Sequence, residues 1–408
     1  MNLKVFSKTP KSIVTLLGEV TMERTVLRPA TALYREKLFE TERIKSVVPL
    51  DCHLGLNLLP FKITVAAMAE IAYWVQKSNS YDDAEEALRR NTKIDVKNDT
   101  MRFVANTVGK IVLDNDLARA EESYRLLNSG GLTFPKKKLD RELYVECDGA
   151  MFRSREKGDE EDGGDKGDRG WKEIKSGVVY GSDTFIGRTD DKGEPGQGLG
   201  NREYAAYAGS ADVFRKLLFD LALRNGYGKY KTTILLTNGA SWIKNTKDLL
   251  FPDAVLILDF FHLREKVRDF SNEYFDHNEA ESKPWRDNTC KMLRNGEINA
   301  VLNILRGLKK FETDARAVNL RDYITENIDG MDYKHYEDNG WHVGGGDLES
   351  ANKTVLRERL KQAGTRWNAE TAGYVTALVT KAKSRLWDRD VVRALRRHYG
   401  VARPNDDI

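Results

Sequence analysis

The sequence predicts an α/β protein with a mixed five-stranded sheet and helices, flanked by mainly α-helical N-terminal and C-terminal regions. Three observations predict it. Apolar β-type runs at 142–149, 172–180 and 202–208 succeed one another with no helical segment between them. From residue 211 onward, strand-type runs alternate with helical ones. On either side of this block, apolar residues recur mainly at helical spacing. Strands following strands, then strands alternating with helices, require a sheet that starts antiparallel and continues through parallel crossovers.

The elements follow in order. Residues 12–17 and 21–27 are short β-type runs around Gly18 and predict a small hairpin in a segment spanning 1–50. Residues 51–135 form a helical region. ITVAAMAEIAYWVQK is apolar enough for a buried helix. NSYDDAEEALRRN gives a second, with Ser80 as its cap and acids in its first turn. After the connector TKIDVKN, DTMRFVANTVGKIVLD gives a third, capped by Asp99 or Thr100. This spacing suits a helix-turn-helix and equally a plain helical hairpin. On the first reading Lys93, Lys97 and Arg102 would contact phosphates.

Residues 136–270 hold the first part of the α/β core. ELYVECDG is a buried-type strand ending in Asp148, and KEIKSGVVY is the next, after the polar, glycine-rich loop EKGDEEDGGDKGDRG. A third strand at 202–208 precedes an amphipathic helix at 211–225. KTTILLT then runs to Asn238, a short helical turn lies at 247–250, and AVLILD leads into the helix LREKVRDF. The order β-β-β-α-β-α-β-α is the ribonuclease H-like order. Residues 271–340 read as a helical insertion, and 341–408 as a glycine-rich turn, a helix at Glu349 and basic C-terminal helices.

Composition narrows the class. Of 408 residues, 40% are hydrophobic and 32% charged, yet the net charge is only +3. Wholesale disorder and a uniformly basic chain are both excluded. Cys52, Cys147 and Cys290 are too few and too far apart for a disulfide framework or a zinc-binding pair. No leader and no membrane-length apolar run is seen, so a soluble protein of the reducing cytoplasm is expected.

Ligands of a parallel sheet gather at the carboxyl ends of its strands. Asp148, Asn238 and Asp259 each follow an apolar run, and Glu349 opens a helix after the glycine turn, at successive spacings of 90, 21 and 90 residues. Carboxylates gathered this way suit magnesium, a hard cation. Two ions roughly 4 Å apart clamp both oxygens of an in-line phosphoryl displacement. Singly, each acid has a structural reading: a turn residue before glycine, a helix cap at Asp259, an i,i+4 partner of Lys353 at Glu349. Their joint placement favours a site. Residues 344–346 lack the Lys-Ser/Thr of a phosphate-binding loop, so they read as a hinge.

Four stretches carry a resemblance: CDGAMF at Asp148, NGASWIKN at Asn238, FPDAVLILDFFHLREKV at Asp259 and His262, and VGGGDLESANKTVLRERLKQAGTRW around Glu349. With them the chain resembles bacterial insertion-sequence transposases of the DDE type, within the mutator-like and Kra- or Lre-type groups. PLDCHLGL and SYDDAEEAL resemble the DNA-binding region of that family. The resemblance implies cleavage of transposon ends and strand transfer into target DNA by a homo-oligomer in the cytoplasm, on the nucleoid. It implies two Mg2+ or Mn2+ ions held by Asp148, Asp259 and Glu349, with His262 also catalytic, and no zinc. The family's second catalytic Asp falls on Asn238, an amide that cannot bridge two cations. Three explanations stand: an inactive or domesticated DNA-binding derivative, an engineered inactivation, or Asp259 supplying the missing charge.

The helix after Glu349 carries Lys353, Arg357, Arg359, Lys361 and Arg366, and a second basic run includes Lys381, Lys383, Arg385, Arg393, Arg396 and Arg397. Residues 353–403 hold 13 basic and 4 acidic residues, so the near-neutral total hides a phosphate-binding candidate.

Overall fold

The computed structural model describes residues 3–29, 46–59, 61–155, 170–189, 195–308, 315–344, 360 and 366–401. The chain divides into two units, Met1–Asp116 with Glu370–Ile408, and Leu117–Ala369.

In the first unit, β1 (Leu3–Thr15) pairs antiparallel with β2 (Gly18–Pro29). The hairpin is longer than the apolar runs predict. Lys4, Lys8 and Pro10 interrupt the pattern, but all are exposed and need no core partner. Leu16 and Leu17 form the turn, and Gly18 opens the second strand. Asp51, in α1 (Pro49–His53), is buried and accepts Lys11 Nζ at 3.1 Å and Arg24 Nη1 at 2.5 Å. This ties the helix to both strands.

Helix α2 (Val65–Lys77) buries Ala67, Met68, Ile71, Ala72 and Val75. Helix α3 (Tyr81–Asn91) starts as predicted, with Ser80 Oγ accepting the Asp83 amide at 3.0 Å. Helix α4 (Asn98–Asn128) runs for 31 residues, well past the predicted segment. Its first residue is held by α3: Asn98 donates its amide to Glu85 at 2.8 Å and its Nδ2 to Asp82 at 2.6 Å. Gly109 marks a close approach to the helix Ala369–Lys383, since a Cβ there would lie 2.5 Å from the Tyr374 carbonyl oxygen.

The second unit contains the sheet. Its strands are β3 (Leu139–Arg153), β4 (Trp171–Gly181), β7 (Glu203–Tyr207), β8 (Tyr230–Thr237) and β9 (Val255–Leu258). A separate hairpin of β5 (Phe185–Thr189) and β6 (Pro195–Leu199) intervenes. Across the sheet the order is β7-β4-β3-β8-β9. β4 is antiparallel to β3 and β7, while β8 is parallel to β3 and β9 parallel to β8. This is the ribonuclease H-like α/β core that the element order predicts.

Alternation along β3 sends Leu143, Val145 and Cys147 to one face, where they pack with Phe214, Leu218 and Phe219 of α5 (Ala211–Arg224). Tyr144 and Glu146 alternate with them. Tyr144 stacks on Tyr180 at 5.1 Å, and Tyr180 donates its hydroxyl to buried Glu146. Helix α6 (Ser241–Leu250) is a full ten-residue helix where sequence predicts a short turn. Its polar residues hide the pattern, but Ile243, Thr246 and Leu250 share its buried face. Helices α7 (Phe260–Tyr274), α8 (Glu279–Arg294), α9 (Ile298–Arg306), α10 (Ala315–Glu326) and α11 (Tyr333–Asp338) follow. Among the described residues no helix is long and apolar enough to cross a membrane.

Candidate functional site

Asp148 lies within β3 rather than at its end. The parallel pairing with β8 runs only from Leu139 to Glu146, and beyond it β3 continues with β4 alone. Asp148 therefore stands where the parallel part of the sheet stops. The strand was expected to end there because Gly149 follows, but Gly149 stays in register opposite Lys175.

The turn after β8 is built from its own side chains. Thr237 Oγ1 accepts the Gly239 amide at 2.9 Å, and Asn238 Oδ1 accepts the Ala240 amide at 2.9 Å. These are the local bonds that Thr and Asn make in turns. Gly239, at φ 92°, supplies the left-handed residue. With its oxygen taken by the Ala240 amide, Asn238 presents Nδ2 to the neighbouring strand, where it donates to Asp148 Oδ1 at 2.6 Å. The Gly149 amide donates to the same oxygen at 2.8 Å.

Asp259 follows β9, and its amide donates to the Thr237 carbonyl at 2.8 Å. It is 7% exposed and caps α7, with Oδ1 accepting the Phe261 amide at 2.7 Å. His262 is half-buried in the first turn of α7, its Nδ1 3.8 Å from Glu265. Burial pushes the Asp148 carboxyl above the usual carboxylate range, and the Glu173 charge adds to the rise. The Gly149 amide, His262 and the Asn238 amide pull it down without cancelling the shift.

The UPF0236 model, described as that of an uncharacterised protein family, matches residues 2–383. The chain belongs to UPF0236. No curated protein matches it.

In this UPF0236 member Asp148 and Asn238 are in contact, and His262 is near enough for its charge to act on Asp148. Glu349, Lys353, Arg357, Arg359 and Lys361 lie outside the described residues. Arg366 is exposed, and its carbonyl accepts Arg155 Nε at 3.0 Å. The neighbouring Trp367 forms a parallel bridge with Ser154, just past the end of β3. In the first unit Lys93 is exposed, Lys97 pairs with Glu85 at 3.2 Å and Arg102 with Asp99 at 3.0 Å.

Three neighbours of the site escape sequence reading. Glu173 extends over Gly149, where a Cβ would meet its Oε1 at 1.8 Å, and Lys175 donates to its carboxylate at 2.6 Å. Lys175 is 8% exposed, and a buried lysine in the apolar run KEIKSGVVY was the available signal. Tyr323 donates its hydroxyl to the Asn238 carbonyl at 2.8 Å from 85 residues away, and no local pattern marks it.

A hard divalent cation fits part of this donor set. The Asp148 and Asp259 carboxylates are hard oxygen donors, and a cation would relieve the burial that raises Asp148. Asn238 does not fit as a ligand, because it turns N–H rather than oxygen toward Asp148. Burial pushes the Cys147 thiol well up, so no thiolate is offered. Among the described residues no group of three or more His, Cys, Asp or Glu is placed to hold a metal.

Proposed function

We propose that this UPF0236 member is a DDE-type DNA transposase of an insertion sequence, cutting transposon ends and joining them to target DNA. The observation that carries the reading is the contact between Asp148 on the first core strand and Asn238 after the fourth, with Asp259 after the fifth. Acidic and amide groups gathered at this edge of a ribonuclease H-like sheet suit phosphoryl transfer. Asp148 and Asp259 would hold Mg2+ or Mn2+, with Glu349 joining them by resemblance. Bound there, the ions would polarise the scissile phosphodiester and lower the pKa of the attacking water. Asn238 orients the Asp148 carboxylate by a hydrogen bond and lends no charge. His262, in the first turn of α7 after Asp259, would meet a phosphate oxygen. The hydrolysed end leaves a 3′ hydroxyl, which attacks target DNA. The partners on this reading are element ends and target DNA, met by a homo-oligomer on the nucleoid.

A second reading has its own observation. The Asn238 amide occupies Asp148 Oδ1 with a hydrogen bond and brings no charge of its own for metal chemistry, which suits a catalytically silent, DNA-binding derivative. One experiment separates the two. The full chain is incubated with DNA carrying the element's terminal repeat and Mg2+ or Mn2+. The first reading expects cleavage at the repeat, lost in Asp148→Ala. Binding without cleavage, with cleavage appearing only in Asn238→Asp, selects the second. Equal products from wild type and Asp148→Ala would remove the first.

A further inference from the structure

The turn that carries Asn238 is held from the helical insertion. Tyr323, on α10, donates its hydroxyl to the Asn238 carbonyl at 2.8 Å. Its ring also covers Gly239, where a Cβ would lie 2.9 Å from Tyr323 Cε2 and 3.0 Å from the Asn327 amide group. Asn327 is 4% exposed and donates Nδ2 to the Tyr323 carbonyl at 2.7 Å, which fixes the end of the helix. Lys244, on α6, donates to the Glu326 carbonyl and closes the same contact from the other side. Burial pushes the Tyr323 phenol up, with the Asp259 charge adding, so it remains a protonated donor.

The same stretch reaches the next strand. Gly330 lies against β9, where a Cβ would approach the Leu258 amide to 2.9 Å. Tyr333 then donates to the Leu258 carbonyl at 3.0 Å, one residue before Asp259. Both hydroxyls hold backbone carbonyls where a strand ends: that of Asn238 itself, just past β8, and that of Leu258, one residue before Asp259. Gly239 leaves its turn conformationally permissive, so an outside anchor has something to fix.

We propose that Tyr323 and Tyr333 are positioning residues, through which the helical insertion sets the places of Asn238 and Asp259. The effect on turnover rests on the strand-transfer reading; the anchoring itself does not. A displacement of about 1 Å at a reacting centre costs orders of magnitude in rate, so a single anchoring bond is enough to matter.

Tyr323→Phe removes one oxygen and keeps the ring, and hydrogen exchange reads the anchor without any activity. The Gly239 and Ala240 amides should exchange about tenfold faster, while those of α8 stay as in the wild type. On DNA ends, turnover at saturating DNA should fall about tenfold with KM unchanged. That loss should disappear in an Asn238→Ala background, because the hydroxyl acts through residue 238. Tyr333→Phe should speed exchange at Asp259 and Phe261 in the same way. Unchanged exchange at 239–240, or an equal turnover loss with and without Asn238, would overturn the proposal. Faster exchange in a chain that cleaves no DNA would uphold the anchor and remove the strand-transfer reading alone.

Discussion

Asp148, in the candidate site, has its carboxyl pKa raised, whereas Asp390, an ion-pair partner of Lys381 and Arg389, has its own lowered. Asp148 is a half-buried carboxylate whose burial outweighs the hydrogen bonds from the Gly149 amide and Asn238, so its folded pKa stands above its unfolded value. The stability it contributes is full below the unfolded carboxylate pKa of about 3.9, falls as pH rises through the folded pKa, and stays low above it. Asp148→Asn should therefore raise the thermal midpoint of the metal-free chain at neutral pH, with the gain shrinking as pH drops through the carboxylate range. A melting series across pH checks this, and a gain that grows toward acid would contradict the assignment. Asn238→Asp should do the reverse. It replaces the donor 2.6 Å from Asp148 Oδ1 with a like charge. The metal-free variant should lose about 1–3 kcal/mol of stability, and MgCl2 should restore it saturably. Both positions were legible in the sequence because each follows an apolar run and precedes glycine. The orientation of the Asn238 amide was not, since it depends on the Ala240 amide in a folded turn.

At the scale of elements, sequence pattern reads strands and helices whose buried face is apolar and misses those defined by exposure or by distant partners. The core strands fall into the first group, and β1 with its exposed Lys4 and Lys8 into the second. The start of α4 is set by the contacts of Asn98 with α3, and its end by Gly130, whose φ of 67° lets the Gly131 amide return to the Leu126 carbonyl at 2.8 Å. Gly109 would read as a weak point in a helix, yet it lets the Tyr374 backbone come close. Gly109→Ala should cost about 1–3 kcal/mol despite its better helix propensity, as urea unfolding would measure. Lys381 is a second correction. Sequence groups it with phosphate-binding residues, but it is 2% exposed, 2.8 Å from Asp116 and 3.1 Å from Asp390. Burial acts to raise Asp390, but Arg389 and Lys381 outweigh it and hold the carboxyl down to about 2. Its stabilising effect is present above the unfolded carboxylate pKa and is lost as pH falls toward about 2. Lys381→Met takes this cation from Asp116 and leaves Asp390 with Arg389 alone, and should cost about 3–5 kcal/mol, as urea unfolding would measure.

For the whole molecule, the near-neutral net charge of +3 conceals where phosphate contacts would form on the proposed DNA-binding reading. Part of the basic surplus in 353–403 lies outside the described residues, and Lys381 is neutralised internally. In the first unit Lys383, Arg385, Arg393 and Arg397 are exposed on or beside the C-terminal helices. Lys97 and Arg102 are exposed as well, but each already sits beside an acid. Counterion release makes the distinction measurable, because each phosphate contact contributes about 0.9 to the slope of log K against log salt. Neutralising Arg393 and Arg397 together should lower that slope by up to about 2 and weaken binding equally across DNA sequences. Neutralising Lys97 or Arg102 should change it less, since an acid at about 3 Å already offsets each charge. Anisotropy titrations of the full chain between roughly 50 and 200 mM salt would read both. A slope untouched by the arginine pair would move the proposed DNA surface away from the C-terminal helices and leave the helical region 51–135 as the remaining candidate.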